Sequence, residues 1–265
     1  MKARIRYLAF LSDTPGELAD FYARHLDLDE IGRSSDGDVT LTDGFYNLTF
    51  LRRRAELHEP HSELGLHHIG LEVDDLKAVE QRYRAFNPQW PIAKEPGGIH
   101  FGESRIYDPE GNPISLSQNS FSMREGTNRT PRLRHIAFNA LWPEGIINFY
   151  MLVFGFRELS ASFERRQQGR LNRFAGDGWT NLAIHPFYSD AEGHEARFGV
   201  NHVGFLVNDL KAKVEAFSRE IPVAKRPEWR PYAEYRLRDK EGNGFDLSQT
   251  KGWEVDVDKW ETAAA

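Results

Sequence analysis

The stretch GVNHVGFLVNDL, residues 199–210, has a near-copy in GLHHIGLEVDDL, residues 65–76. Two further pairs of segments lie at a similar offset. They are RIRYLAF at 4–10 with RLRHIAF at 132–138, and YDPEGNPISLSQ at 107–118 with RDKEGNGFDLSQ at 238–249. Self-similarity at a fixed offset is the signature of a repeated architecture. The chain is therefore a tandem duplication.

A weaker repeat lies within each half. Each half opens with an apolar strand, continues with a helix and further strands, and starts again near Leu66 or Val200. A unit of roughly 60 residues is too small to hold a good core alone, so the units must pair. We predict an α+β fold in which βαβββ modules pair into two domains with curved mixed sheets. The predicted domains are 1–122 and 131–250, followed by a tail at 251–265.

Local signals place the helices. Thr14, followed by proline and then by glutamate three residues after Thr14, predicts a capped helix start. Asp74 or Asp75 is expected to cap the helix of the second module. The second half repeats this plan, with helices predicted around 143–154 and 209–220.

Composition limits the function classes. The chain has 265 residues, a net charge of -6 and no cysteine, which excludes disulfides, thiolate metal ligands and a cysteine nucleophile. The negative balance argues against nucleic acid as the main partner. No apolar run is long enough for a membrane span or a signal peptide. We expect a cytoplasmic protein with a small-molecule substrate, no nucleic-acid or membrane partner, and assembly as a homo-oligomer.

Three residues in the second half predict a metal site. Because side chains alternate along a strand, His135 and His202 are expected on the concave face of their sheet. Asp246 lies between two apolar residues on the closing strand, where a carboxylate without a partner is costly. Two imidazoles and one carboxylate are what non-haem Fe(II) enzymes use. The alternative is a hydrogen-bonded cluster in a binding pocket.

The first half provides an internal comparison. Its corresponding residues are Tyr7, His68 and Ser115, and two of these are not competent metal ligands in ordinary circumstances. We therefore predict that the first half binds no metal. His68 is expected to be a hydrogen-bonded core residue.

The module order, the histidines that open successive modules and the Asp-x-x-Gly-Asn-x-x-carboxylate ending resemble the vicinal oxygen chelate superfamily. This superfamily includes glyoxalase I, bleomycin-resistance proteins and type I extradiol ring-cleaving dioxygenases. The resemblance covers nearly the whole chain, from Arg4 to Gln249. Four modules with ligands only in the second pair are similar to the extradiol dioxygenases.

The resemblance implies a cofactor and a reaction. His135, His202 and Asp246 would bind a divalent metal, with Fe(II) expected and Mn(II) or Zn(II) as alternatives. A catecholic or other vicinal-oxygen substrate and O2 would take the remaining metal positions. The position of the fourth ligand of glyoxalase I falls near Ala183, which favours the dioxygenase.

The sequence also departs from the dioxygenase pattern. Where this chain has Asp246, Thr180 and Arg236, the family usually has Glu, His and Tyr, respectively. We therefore consider His185 and Tyr235 as catalytic candidates, while a structural role for His185 remains an alternative. The candidate substrate-binding residues are Tyr232, Arg236, Trp229 and Trp179.

Two other function classes remain open. One is a glyoxalase-like lyase, isomerase or hydrolase that uses the same three ligands to hold a Lewis acid. The other is a non-catalytic binding or resistance protein with aromatic walls around a small molecule.

Overall fold

The computed structural model describes residues 3–54, 63–95, 101–119, 130–187, 198–228 and 233–250. Within these residues the chain forms two eight-stranded sheets and five helices. The candidates Trp229 and Tyr232, most of the segment between the halves and the C-terminal tail lie outside the described residues.

The N-terminal domain contains the first eight strands and two helices. Its elements are β1 (Ala3–Ser12), α1 (Pro15–Leu26), β2 (Asp29–Arg33), β3 (Val39–Thr42), β4 (Asn47–Arg52), β5 (Gly65–Val73), α2 (Leu76–Phe86), β6 (Ala93–Lys94), β7 (Ser104–Tyr107) and β8 (Pro113–Ser117).

The C-terminal domain repeats this order with one additional helix. Its elements are β9 (Arg132–Ala140), α3 (Pro143–Phe154), β10 (Arg157–Glu158), α4 (Ser160–Gln167), β11 (Arg173–Gly176), β12 (Asn181–Pro186), β13 (Gly199–Leu206), α5 (Leu210–Ser218), β14 (Val223–Lys225), β15 (Tyr235–Arg238) and β16 (Gly244–Ser248). The sequence did not predict α4.

The two sheets have the same topology. The strand orders are β2-β3-β4-β1-β5-β8-β7-β6 and β10-β11-β12-β9-β13-β16-β15-β14. In each sheet the first strands of two modules pair antiparallel at the centre, and each of them pairs in parallel with the last strand of its own module. This arrangement confirms the predicted α+β fold of paired βαβββ modules.

Alternate side chains of each central strand lie in the main hydrophobic core and on the opposite face of the sheet. On β9, Ile136 and Phe138 belong to the main core, whereas His135 precedes Ile136 and has the opposite strand parity. Ala137, which has the same parity as His135, lies in a separate apolar cluster with Leu159, Phe174 and Ala183. The face of the C-terminal sheet opposite the main core therefore carries both polar and apolar side chains.

Closing turns of each domain contact the other domain. One carboxylate oxygen of Glu241 accepts hydrogen bonds from the hydroxyls of Ser12 and Thr14, at 2.7 and 2.8 Å, and from the Thr14 backbone N–H. Glu110 accepts from the backbone N–H groups of Leu141 and Trp142. The predicted side-chain cap of Thr14 is wrong, because its hydroxyl donates across the domain interface.

Side chains of the first two helices make defined contacts. Asp75 caps α2 by accepting from the backbone N–H of Ala78, as predicted. His25 of α1 is buried against Phe217 and lies 3.0 Å from Glu220. No helix among the described residues is long and apolar enough to cross a membrane.

Candidate metal centre

His135, His202 and Asp246 meet on the face of the C-terminal sheet opposite its main core. The Nε2 atoms of both histidines lie 3.5 Å from Oδ2 of Asp246, and one ligand atom from each of the three residues lies within 4.8 Å of the others. All three side chains are buried, and Asp246 is only 1% exposed. The structure therefore brings together the three ligands that the sequence predicted.

Strand register explains this meeting. His135 on β9 and Asp246 on β16 are both opposite Gly204, which lies on the strand between them. A Cβ atom at Gly204 would overlap the imidazole of His135. Because this glycine has no side chain, the ring can lie across β13 toward the carboxylate. His202 occupies the same strand two residues earlier and therefore has the same side-chain parity as Gly204.

Arg236 is the fourth member of the cluster. It lies opposite Asp246 in the register of β15 and β16. Its Nε donates to Oδ1 of Asp246, and its Nη2 lies 2.9 Å from Oδ2. The same Nη2 lies 3.1 Å from Nε2 of His202. Arg236 was predicted to bind substrate. In the structure its guanidinium instead contacts two candidate metal ligands, Asp246 and His202.

Hydrogen bonds and burial set the protonation states. Oδ1 of Asn201 lies 2.7 Å from Nδ1 of His202, so Nδ1 donates and Nε2 carries the lone pair. Burial lowers the pKa of His202 well below its ordinary value, and the charge of Arg236 lowers it further. Burial alone would raise the pKa of Asp246, but Arg236 and the two histidines hold it well below its usual range. The cluster therefore contains a carboxylate and a neutral His202.

The N-terminal domain has a related cluster without the aspartate. Nη2 of Arg105 lies 3.3 Å from Nε2 of His68 and also donates to Glu95. Tyr7 stacks on Phe101 at 5.1 Å in the place that corresponds to His135. His68 is buried and hydrogen-bonded, as expected. An arginine therefore contacts the repeat-equivalent histidine in both domains.

His185 lies beside the triad. Its ring centre is 6.4 Å from that of His202 and 6.2 Å from that of Phe174. Nδ2 of Asn172 lies 2.7 Å from Nδ1 of His185. Because the amide nitrogen can only donate, Nδ1 accepts and the neutral ring carries its proton on Nε2. Of the two catalytic candidates, this is the one that the structure places near the metal ligands.

The other described candidates lie elsewhere. Tyr235 precedes Arg236 on β15, so its side chain has the opposite parity and packs against the main core. Trp179 lies in the turn before β12, with its ring centre 4.7 Å from that of Phe45 and 4.5 Å from the guanidinium carbon of Arg132. The structure therefore brings neither residue to the metal ligands.

Sequence reasoning missed two contributors to the site. Gly204 makes room for His135, and its signal was the His-x-Gly motif that recurs as His68 and Gly70. Phe174 forms an apolar wall beside His185, but nothing in its local sequence distinguishes it from a core phenylalanine.

The donor set fits a divalent cation in type and spacing. Two imidazole nitrogens and a carboxylate oxygen suit Fe, Mn and Zn, and their separations allow convergence on one ion with small side-chain shifts. Asp246 is ionised and Nε2 of His202 presents a lone pair, as ligands must. Arg236 engages two of the same donors.

The structure thus combines two duplicated sheets with a buried His-His-Asp cluster that could hold a metal ion. The model of the Glyoxalase/Bleomycin resistance protein/Dioxygenase superfamily matches residues 4–116 and 132–247. The chain belongs to this superfamily, as the sequence resemblance predicted. Comparison with curated protein sequences gave no match.

Several solved structures share the fold. The Mn(II)-bound glyoxalase from Novosphingobium aromaticivorans has a TM-score of 0.68 and 17% identity, over 96% of this chain and 84% of its own. The 2,3-dioxygenase LapB from Pseudomonas sp. KL28 has a TM-score of 0.67 and 16% identity, over 92% and 91%. The 2,2',3-trihydroxybiphenyl 1,2-dioxygenase from Sphingomonas wittichii strain RW1 has values of 0.64 and 12%, over 98% and 94%.

Proposed function

We propose that this protein is a metal-dependent enzyme that binds a catecholic or other vicinal-oxygen small molecule and cleaves it with O2, as an extradiol-type dioxygenase does. The observation that carries the proposal is the convergence of His135, His202 and Asp246, whose ligand atoms lie within 4.8 Å of one another. Such a triad occupies one side of an ion and leaves positions for substrate and oxygen. Fe(II) is the proposed metal, with Mn(II) or Zn(II) as alternatives.

Once bound, the metal would supply a template for two substrate oxygens and a path for electrons between substrate and O2. The chain's own residues prepare this site. Asn201 fixes the tautomer of His202, and burial in the C-terminal sheet keeps that ring neutral. Gly204 sets the position of His135.

His185 is the proposed acid/base residue. Asn172 orients its ring and leaves a proton on Nε2, which suits it to deliver a proton to a substrate oxygen. Phe174, whose ring centre lies 6.2 Å from that of His185, gives this side of the site an apolar neighbour. A small aromatic substrate therefore matches this environment better than a highly charged one.

A glyoxalase-like lyase, isomerase or hydrolase is the second candidate. The observation that favours it is Arg236, a cation beside the triad that could stabilise a developing enolate oxygen. Oxygen consumption separates the two candidates, because only the dioxygenase incorporates O2 into its product.

The first test is metal content. Protein purified anaerobically and reconstituted with Fe(II), Mn(II) or Zn(II) in turn should hold about one ion per chain in the wild type and in His68→Ala, and far less in His202→Ala. His68 is the matched control because it is the repeat-equivalent histidine outside the triad. No retained metal in the wild type would overturn the enzyme proposal and leave a binding protein.

The second test is activity. Reconstituted wild-type protein is mixed with a panel of catechols in an oxygen-electrode cell, and ring-opened products are identified by mass spectrometry. We expect oxygen uptake that His185→Gln slows by about 100-fold, a typical contribution of general acid/base catalysis. Metal binding without oxygen uptake would redirect the proposal to the glyoxalase-like class.

A further inference from the structure

We infer that Arg236 competes with the divalent cation for the donor atoms of His202 and Asp246. This inference rests on the proposed function, because it concerns the same metal site. It goes beyond that function by assigning Arg236 a role in metal affinity that opposes binding.

Arg236 occupies the nitrogen of His202 that a metal ion would need. A neutral imidazole has a single ring nitrogen with an available lone pair, and here Asn201 assigns that lone pair to Nε2. Nη2 of Arg236 donates toward this atom at 3.1 Å. One lone pair cannot accept this hydrogen bond and bind a metal ion at the same time. Coordination by His202 therefore requires Arg236 to withdraw.

Arg236 also supplies the positive charge beside Asp246. Asp246 and Arg236 are 1% and 8% exposed, and the guanidinium contacts both carboxylate oxygens. A buried carboxylate without a partner is strongly unfavourable, so a cation must accompany Asp246 in every state of the site. Arg236 supplies this positive charge when no metal is bound. Metal binding therefore includes the free-energy cost of breaking the ion pair between Arg236 and Asp246.

The duplication carries the third step. Arg105 occupies the position equivalent to Arg236 and contacts His68, the equivalent of His202, at 3.3 Å. Its carboxylate partner is Glu95, which directly follows the edge strand β6, whereas Asp246 lies on the closing strand β16. The arginine, histidine and carboxylate contacts thus form in a domain that lacks two of the three candidate ligands. They do not depend on a complete metal site.

Arg236 could instead orient Asp246 for metal binding and so raise metal affinity. Partners that orient a metal-binding carboxylate raise affinity, and their loss typically weakens metal binding by about 10- to 100-fold. Competition has the reverse sign. Removal of the arginine takes away its hydrogen bond to Nε2 of His202 and its positive charge beside Asp246. The two roles therefore predict opposite changes in metal affinity.

The experiment is a titration of metal-free protein with Mn(II), followed through the electron paramagnetic resonance signal of free Mn(II). We expect Arg236→Gln to bind Mn(II) at least about tenfold more tightly than the wild type. Arg236→Lys, which keeps the charge but loses the forked contact, should lie between them. Arg105→Gln is the matched control and should leave the dissociation constant unchanged.

A measurement on the wild type covers the case in which Arg236→Gln does not fold. In 15N-labelled protein, the Nε–H resonance of Arg236 is identified by its loss in Arg236→Lys. Addition of Zn(II) should shift or broaden this resonance and leave that of Arg105 in place. A resonance of Arg236 that is unchanged at saturating Zn(II) would overturn the inference.

The outcomes separate the inference from the proposed function. Equal or weaker Mn(II) binding in Arg236→Gln, with normal binding in the wild type, would refute competition and leave the metalloenzyme standing. Absence of Mn(II) binding in the wild type and in Arg236→Gln would refute both.

Discussion

Replacement of Gly204 by alanine should remove metal binding through steric overlap with His135. A Cβ atom at this position would lie 2.7 Å from Nε2 of the imidazole and closer still to two other ring atoms. The ring must move by about 1.5 Å to restore ordinary van der Waals contact. Metal–ligand distances tolerate only about 0.2 Å, so His135 would cease to be a ligand. We expect metal affinity to fall by more than about 100-fold, the upper effect of altering an outer partner.

Gly70→Ala is the matched control. Gly70 is the repeat-equivalent glycine, and a Cβ atom there would lie 2.8 Å from Cδ1 of Phe101 and from Cβ of Tyr7. Overpacking typically costs about 1–3 kcal/mol, so both variants should lose a similar free energy of unfolding. Only Gly204→Ala should lose metal binding.

The assay combines urea unfolding with Mn(II) titration of each purified variant. Two results would refute the reasoning. One is Gly204→Ala with wild-type Mn(II) affinity, which would show that His135 binds no metal or that the strand relaxes around the new methyl group. The other is an equal loss of affinity in Gly70→Ala, which would assign the effect to general destabilisation.

Two further predictions concern stability. Burial raises the pKa of Asp108 to about 7, so this carboxyl favours the folded state below pH 4 and that contribution is lost as the pH rises through 7. The difference in free energy of unfolding between wild type and Asp108→Asn should therefore fall by up to about 4 kcal/mol between pH 4 and pH 8, as measured by urea unfolding, and a constant difference would contradict the pKa shift. Glu241→Ala removes the acceptor of Ser12 and Thr14 at the domain interface and should cost about 1–2 kcal/mol in the same assay, with a loss below about 0.5 kcal/mol as the contrary result.

Much of the site was readable from the duplication. The copies fix which residues are equivalent, so His202 is recognised against His68, and Asp246 against Ser115. Strand parity then places His135 and His202 on the concave face without knowledge of the register. The structure confirms the fold and brings these three side chains together.

The contacts of Arg236 were not readable from the sequence. An arginine in a β-strand can reach a substrate, a surface carboxylate or a buried one, because its long side chain has several rotatable bonds. The register of β15 against β16 decides the outcome by placing it opposite Asp246. Tertiary packing likewise decides that Tyr235 lies against the main core and that Trp179 lies against Phe45.

The sequence by itself determined the duplicated βαβββ plan and the three candidate ligands, because repetition and the two-residue period of a strand are local properties of the chain. Only the tertiary structure decided that Gly204 accommodates His135 and that Arg236 contacts His202 and Asp246, two of the candidate ligands. These contacts join strands far apart in sequence, and their geometry depends on inter-strand register and on which side chain fills the remaining space.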